Sequence, residues 1–204
     1  METNELILNQ LKEMEAYAQE HYVPIMQQEG IVFLQGLIQE KHCREILEIG
    51  CAIGYSAIQM ARMDENIHVV TIERDESCIQ EARNNIRKCG MENQIELIEG
   101  DALNIEVPGC FDLIFIDAAK AQYIKFFEKY KQHLKPNGII VSDNLKFHGL
   151  VEHPELIQKR NKRALVRKIK QYIDFLQHNE EYETVFYDLG DGVSLSKKRN
   201  GMDG

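Results

Sequence analysis

The chain has no uninterrupted apolar run of the roughly eighteen residues that a membrane helix needs, and no charged-then-apolar leader. These absences predict neither a bilayer span nor a secretion signal. Its five cysteines (Cys43, Cys51, Cys78, Cys89 and Cys110) are odd in number and include no CxxC pair. That pattern argues against a disulfide framework or a structural zinc site, and for a reducing cytoplasm. No internal repeat, low-complexity tract or Pro/Gly/Ser linker divides the sequence, so residues 1–204 read as one domain. Positive charge is also in short supply. A net charge of −9 does not suit a protein that binds nucleic acid with its whole surface. The segment 159–170 nevertheless carries seven bases and no acid, so total charge leaves the partner open.

With 204 residues and 44% apolar content, the chain can bury a full core. Residues 3–20 and 28–41 read as two helices within an N-terminal segment, 1–41, that packs on the core or on a partner subunit. Leu6, Leu8, Leu11 and Met14 supply the apolar positions of the first, and Pro24 breaks the chain between them. Strand runs follow at 44–49, 67–73, 94–99, 111–117 and 138–143, nearly continuous in Ile, Leu and Val, as strands buried on both faces are. Helical runs fall at 55–63, 76–89 and 120–134, and a further helix at about 157–178. Repeated alternation of this kind predicts an α/β fold with a parallel sheet and right-handed crossovers. Two last runs, 182–189 and 193–197, flank Gly190-Asp191-Gly192 and read as a β-hairpin. The expected architecture is a Rossmann-like, doubly wound, seven-stranded sheet, mostly parallel, with a C-terminal antiparallel hairpin and helices on both faces.

Two strand runs end in groups that suit a metal. The run 111–117 closes on Asp117, and the run from 138 closes on Asp143 and Asn144. Ligands of open parallel sheets bind outside the carboxyl ends of the strands. Two carboxylates and an amide oxygen there match a hard cation such as Mg2+. Lys120, expected one helical turn beyond Asp117, would hold an amine beside the ion. Each of these residues taken singly is also explained as a cap on a following helix.

The first strand runs into Glu48-Ile49-Gly50-Cys51-Ala52-Ile53-Gly54-Tyr55-Ser56. Gly50 and Gly54 allow a tight turn and close approach of a ligand. A pyrophosphate fingerprint needs GxGxxG, and its remaining glycine positions are here Ala52 and Tyr55, which disfavours a dinucleotide. Glu73 ends the second strand, where a carboxylate can accept both hydroxyls of a ribose; a helix cap is the plainer explanation. Gly100-Asp101-Ala102 follows the third, placed to flank an adenine edge.

The motifs Glu48-Ile49-Gly50 with Gly54-Tyr55-Ser56, Ile116-Asp117-Ala118-Ala119-Lys120 and Ser142-Asp143-Asn144 resemble those of class I S-adenosylmethionine-dependent methyltransferases. More narrowly, the chain resembles the metal-dependent O-methyltransferases that include the catechol and caffeoyl-CoA enzymes. Within that group it is most similar to the bacterial tRNA 5-hydroxyuridine methyltransferases, over nearly its whole length. The resemblance implies S-adenosylmethionine as cofactor, contacted by Met26, Tyr55, Ser56, Glu73, Asp101, Ala102 and Asp117, with Glu48, Gly50 and Gly54 shaping the loop under its methionine part. It places Mg2+, or another divalent ion such as Mn2+ or Ca2+, on Asp117, Asp143 and Asn144, and the active-site lysine on Lys120. It also implies a cytoplasmic homodimer.

Methyl transfer from a sulfonium to an oxygen is an in-line displacement, so the oxygen must be ionised and held opposite the sulfur. A divalent ion on two adjacent acceptor oxygens lowers the hydroxyl's pKa. Lys120 would take the proton if metal and burial pull its pKa down from about 10.4, or would stay charged and stabilise the oxyanion. Chelation restricts the acceptor to neighbouring oxygens. Catechols offer such a pair, and so does 5-hydroxyuridine through its 5-hydroxyl and C4 carbonyl.

Arg160, Arg163, Arg167 and Lys170 fall at helical spacing, opposite Leu165, Ile169, Tyr172, Ile173 and Leu176. They form either a solvated helix face or a phosphate-contacting ridge, which Lys146, His148 and the basic tail 197–199 would extend. Phe147 and His148 are candidates to line the entrance for a splayed-out base, or else a buried ring and an incidental surface histidine. The expected activity is methylation of the 5-hydroxyl of wobble 5-hydroxyuridine in tRNA, through its anticodon region, giving 5-methoxyuridine. A small-molecule catechol-type enzyme and a catalytically idle binding module are the alternatives.

Overall fold

Strands that are apolar at almost every position must be covered on both faces. The computed structural model, which describes residues 2–153, 155, 157 and 159–199, buries them in a seven-stranded sheet. The strands are β1 (Glu45–Ile49), β2 (His68–Glu73), β3 (Ile95–Glu99), β4 (Phe111–Ile116), β5 (Leu134–Ser142), β6 (Tyr182–Tyr187) and β7 (Val193–Lys198). Their order is β3-β2-β1-β4-β5-β7-β6. The first five pair in parallel, and β7 runs antiparallel to both β5 and β6. The expected Rossmann-like sheet with its terminal hairpin is therefore observed.

Helices α1 (Glu2–His21), α2 (Gln28–Lys41), α3 (Tyr55–Ala61) and α4 (Glu76–Lys88) supply one core, through residues such as Leu11, Leu34, Ile58 and Ile86. On the other face α5 (Tyr123–Tyr130) and α6 (Arg160–Gln177) pack Phe127, Tyr130, Tyr172 and Leu176. Leu11 and Met14 of α1 are buried in the core, whereas Leu6 and Leu8 are exposed.

Three elements differ most from expectation. β5 begins at Leu134, ahead of 138, because Leu134 pairs with Phe111 across a register shift; a proline such as Pro136 is tolerated next to such an irregularity. The run 120–134 is not one helix. It opens as a 3-10 turn (Lys120–Gln122) and closes as another (Lys131–His133), neither with a side-chain cap to satisfy its terminal N–H groups. α6 starts at Arg160, and Pro154, Leu156 and Gln158 before it lie outside the described residues. Its buried positions are Val166, Ile169, Tyr172 and Leu176, so Val166 takes the place expected of Leu165.

This topology fixes where a ligand can sit. β1 is followed outward by β2 and β3, and the chain then returns to place β4 and β5 on its other side. The crevice at that reversal, outside the carboxyl ends of β1 and β4, is where open α/β sheets bind ligands. Because β7 is antiparallel, with Ser194 opposite Ser142, the start of β7 lies at the same edge as the end of β5.

Candidate active site

A cavity of about 560 Å³ opens at this crevice, within the size range of small-molecule sites. Its first half is built from the turns after β1, β2 and β3. Gly50 leaves β1 with a φ of +89°, and a Cβ there would stand 2.9 Å from Ala118 Cα. Only glycine permits that approach. Gly54, at φ +86°, starts α3. Beneath the loop, the fully buried Glu48 accepts hydrogen bonds from Ser56 Oγ and, at 2.5 Å, from Thr71 Oγ1. Burial pushes its carboxyl up to about 7 against the pull of those two bonds. Glu73 accepts the backbone N–H groups of Ala52, Arg74 and Asp75 at 3.0, 2.8 and 2.9 Å. It thereby ties the β1 loop to the end of β2. The cap of α4 is Asp75, which accepts from the Ser77 and Cys78 N–H groups, so Glu73 is not occupied as a helix cap. Asp101 accepts the Leu103 N–H at 2.9 Å.

The second half is acidic. Asp117 directly follows β4, and Asp143, only 3% exposed, directly follows β5. Asn144 takes a left-handed φ of +61°. Its Nδ2 donates to Asp143 Oδ2 at 3.1 Å, and its Oδ1 accepts from Lys120 Nζ at 2.5 Å. Burial holds both carboxyls above the ordinary range. For Asp117 the Lys120 charge opposes the rise and Asp191 adds to it; for Asp143 the neighbouring Asp117 adds to it. Two crowded, desolvated carboxylates and an amide oxygen are hard donors whose repulsion a divalent cation would relieve, so these residues fit one. Among the described residues no group of three or more His, Cys, Asp or Glu side chains is disposed around a metal. The Asn144 amide and solvent would therefore have to complete the shell.

Asp117 and Asn144 do not cap helices. Ala119 holds the N-cap position of the turn after β4, and turns, not a helix, follow Asn144. Lys120 is likewise not a helical turn beyond Asp117: residues 117–119 are non-helical and Lys120 opens the 3-10 turn. That short connection keeps its amine over the strand ends.

Of the expected cofactor residues, Met26, Gly50, Tyr55, Ser56, Glu73, Asp101, Ala102 and Asp117 line the cavity. Glu48 and Gly54 lie behind its wall. Phe147 and His148 also line it, both at positive φ (+48° and +56°), and the His148 side chain is 75% exposed. Lys146 does not join a basic ridge: its Nζ is paired with Asp188 and, at 3.5 Å, with Glu152. Arg160, Arg163, Arg167 and Lys170 are exposed on α6. Arg167 borders a shallow apolar depression shared with Phe147, Leu165, Lys162 and Lys168, while Arg163 donates to the Ile157 carbonyl at 3.1 Å. Two residues escaped the sequence reading. Tyr123 donates its hydroxyl to the Asp143 carbonyl at 3.1 Å. Asp191 lines the cavity although it lies in the hairpin turn. The only available signal for Asp191 was the antiparallel return itself, which carries that turn to the carboxyl edge.

Known proteins resemble this chain in sequence and fold. A family model described as O-methyltransferase matches residues 2–199. A catechol O-methyltransferase of Niastella koreensis is 37% identical over 126 residues, 58% of this chain and 57% of that protein, so the match spans little more than half its length. A caffeoyl-CoA O-methyltransferase of Populus kitakamiensis is 29% identical over 176 residues, covering 81% of this chain and 74% of that one. A crystal structure of a Staphylococcus aureus protein, provisionally described as a caffeoyl-CoA O-methyltransferase, superposes with a TM-score of 0.89 at 39% identity. It covers 93% of this chain and 92% of its own. An O-methyltransferase from Bacillus cereus in complex with SAH superposes at 0.80 with 27% identity, covering 94% and 91%.

Proposed function

The chain belongs to the O-methyltransferase family, among the S-adenosylmethionine-dependent enzymes of catechol and caffeoyl-CoA type, and on that premise we propose that it methylates the 5-hydroxyl of 5-hydroxyuridine in tRNA with the help of a divalent cation. The observation that carries the chemistry is the meeting of Asp117, Asp143, Asn144 and Lys120 at one edge, with Lys120 Nζ 2.5 Å from Asn144 Oδ1 and Asn144 Nδ2 3.1 Å from Asp143 Oδ2.

When bound, S-adenosylmethionine supplies the methyl group on a cationic sulfur, and the divalent ion supplies a Lewis acid that lowers the acceptor hydroxyl's pKa. Glu73 and Asp101 would hold the nucleoside end of the cofactor, and the Gly50 turn would let the backbone approach its methionine end. Asp117, Asp143 and Asn144 would hold the cation. Lys120 would take the acceptor's proton or hold the resulting oxygen by its charge. Orientation of this kind contributes much of the acceleration, since well-placed intramolecular reactions gain up to about 7–11 kcal/mol.

The acceptor is inferred from the surroundings of the mouth. Phe147 belongs to both the cavity and the shallow depression on α6, where Lys162, Arg167 and Lys168 stand around apolar Leu165. A ring platform beside exposed cations suits a splayed base and its flanking phosphates. The names of the relatives favour a second reading, a small vicinal diol such as a catechol. Mass spectrometry of tRNA nucleosides from cells lacking the protein separates the two. Accumulated 5-hydroxyuridine with loss of its methyl ether supports the tRNA reading, and unchanged nucleosides leave the catechol reading. Asp143→Ala should lose turnover while retaining cofactor binding; full activity of metal-stripped enzyme rules out the role of the cation.

A further inference from the structure

The segment after Asn144 is held by the hairpin as well as by turn hydrogen bonds of its own, from Leu150 N–H to the Phe147 carbonyl and from Val151 N–H to the Lys146 carbonyl, both at 3.1 Å. Asn144, Phe147 and His148 all have left-handed backbones, which side chains other than glycine adopt only when their surroundings compel it. The restraint from outside the segment comes from residues 191 and 192. Leu145 N–H donates to the Gly192 carbonyl at 3.0 Å and Lys146 N–H to the Asp191 carbonyl at 2.7 Å. The Asp191 carboxylate adds a third tie, accepting the His148 backbone N–H through Oδ1. Gly192 allows the close contact, since a Cβ there would stand 2.8 Å from Lys146 Cγ.

One carboxylate oxygen would suffice to tether a loop. The other, Asp191 Oδ2, is buried and has no hydrogen-bond partner among the described residues. The His148 ring stands beside it, with Nδ1 3.7 Å away. Asp191 is 6% exposed, lines the cavity and faces a region already crowded by Asp117 and Asp143. A buried carboxyl oxygen left without a hydrogen bond in such a place is unfavourable for the fold alone. We infer that Asp191 is a positioning residue for the acceptor: gripping His148 by its amide, with Oδ2 beside its ring, it sets the wall formed by Phe147 and His148. The claim rests on the O-methyltransferase reading but on neither choice of acceptor.

The test compares Asp191→Ala and Asp191→Asn with wild type, each saturated with S-adenosylhomocysteine and Mg2+. Hydrogen–deuterium exchange of peptides covering 145–149 is the readout that needs no acceptor. Exchange should accelerate about tenfold or more in the alanine variant and return close to wild type in the asparagine variant, which keeps an oxygen for the His148 amide. Steady-state kinetics then use whichever of two probes the wild type methylates, tRNA bearing 5-hydroxyuridine or a simple catechol. Alanine should raise the acceptor KM about tenfold, with kcat and S-adenosylhomocysteine affinity changed less than about threefold, and asparagine should recover most of the loss. Unchanged exchange overturns the inference, as does a KM loss that asparagine does not rescue, or cofactor affinity falling in step with activity. If wild type methylates neither probe, the tRNA and catechol readings fail while the exchange result still decides the role of Asp191.

Discussion

The two halves of the cleft are made differently. On the cofactor side each wall is a strand and the turn that follows it in sequence, and its polar groups are satisfied: Glu48 by Ser56 and Thr71, Glu73 by three backbone amides. A buried path even braces it from the N-terminal helix. Gln10 donates to Asn85 at 3.1 Å, Asn85 donates to the Ile53 carbonyl at 2.9 Å, and Tyr55 donates to Glu15 at 2.5 Å. The acceptor side instead gathers Asp117, Asp143 and Asp191 from two strand ends and a hairpin turn distant in sequence, with Lys120 beside them, and carries three left-handed non-glycine residues against one, Ala52, on the cofactor side. One half is settled before a ligand arrives. The other is held in a charged, conformationally costly arrangement that suits binding a cation and an ionised acceptor.

The largest effect should come from the charged half. Lys120→Ala is expected to lower kcat by about 10²–10⁴-fold, the usual contribution of a proton-transferring group, with little change in S-adenosylhomocysteine affinity measured by calorimetry. Lys120→Arg sharpens the assignment, because arginine keeps the charge but cannot give up its proton. Substantial activity in the arginine variant would mean that Lys120 acts by charge, and its loss would favour proton transfer.

A smaller, opposite pattern is expected on the settled half. Gly50→Ala combines φ +89° with a close approach to Ala118, a strain of about 1–3 kcal/mol. Cofactor affinity should fall roughly 10–100-fold, with acceptor KM affected less; unaltered affinity would break the contrast between the halves.

Glu48 tests whether the settled half carries a latent charge. Its carboxyl holds a proton up to about pH 7 when folded, against an ordinary value of 4.5. Between those values the folded state binds more protons than the unfolded, so this group's contribution to stability falls as pH rises through the window. Relative to Glu48→Gln, wild type should lose no more than about 3 kcal/mol from pH 4.5 to 7 in denaturant titrations. A pH-independent difference between the two proteins would count against the shift.

The smallest effects concern the outer rim. Removing Arg167 should weaken tRNA binding modestly and reduce the salt slope by about 0.7–0.9. Lys146→Ala, whose amine is already paired with Asp188 and Glu152, should leave that slope unchanged in filter-binding assays.

Most of the sheet was legible because its evidence is local: the runs ending at Ile49, Glu73, Glu99 and Asp117 differ from the observed strands by a residue or so. Asp117, Asp143 and Asn144 were readable for the same reason, as strand ends. The broken run 120–134, the paired state of Lys146 and the place of Asp191 were not. Each depends on contacts with segments remote in sequence.

Residue order alone thus set the strand–helix alternation, the glycine turn and the acids at strand ends, because periodicity and backbone preference act over a few neighbours. Tertiary structure decided which of those acids share a cleft, and that Lys146 is drawn to acidic partners. Reversing β7 against β5 carries a hairpin turn to the carboxyl edge of the sheet, and pairing between distant strands is a property of the assembled sheet that no short stretch of sequence contains.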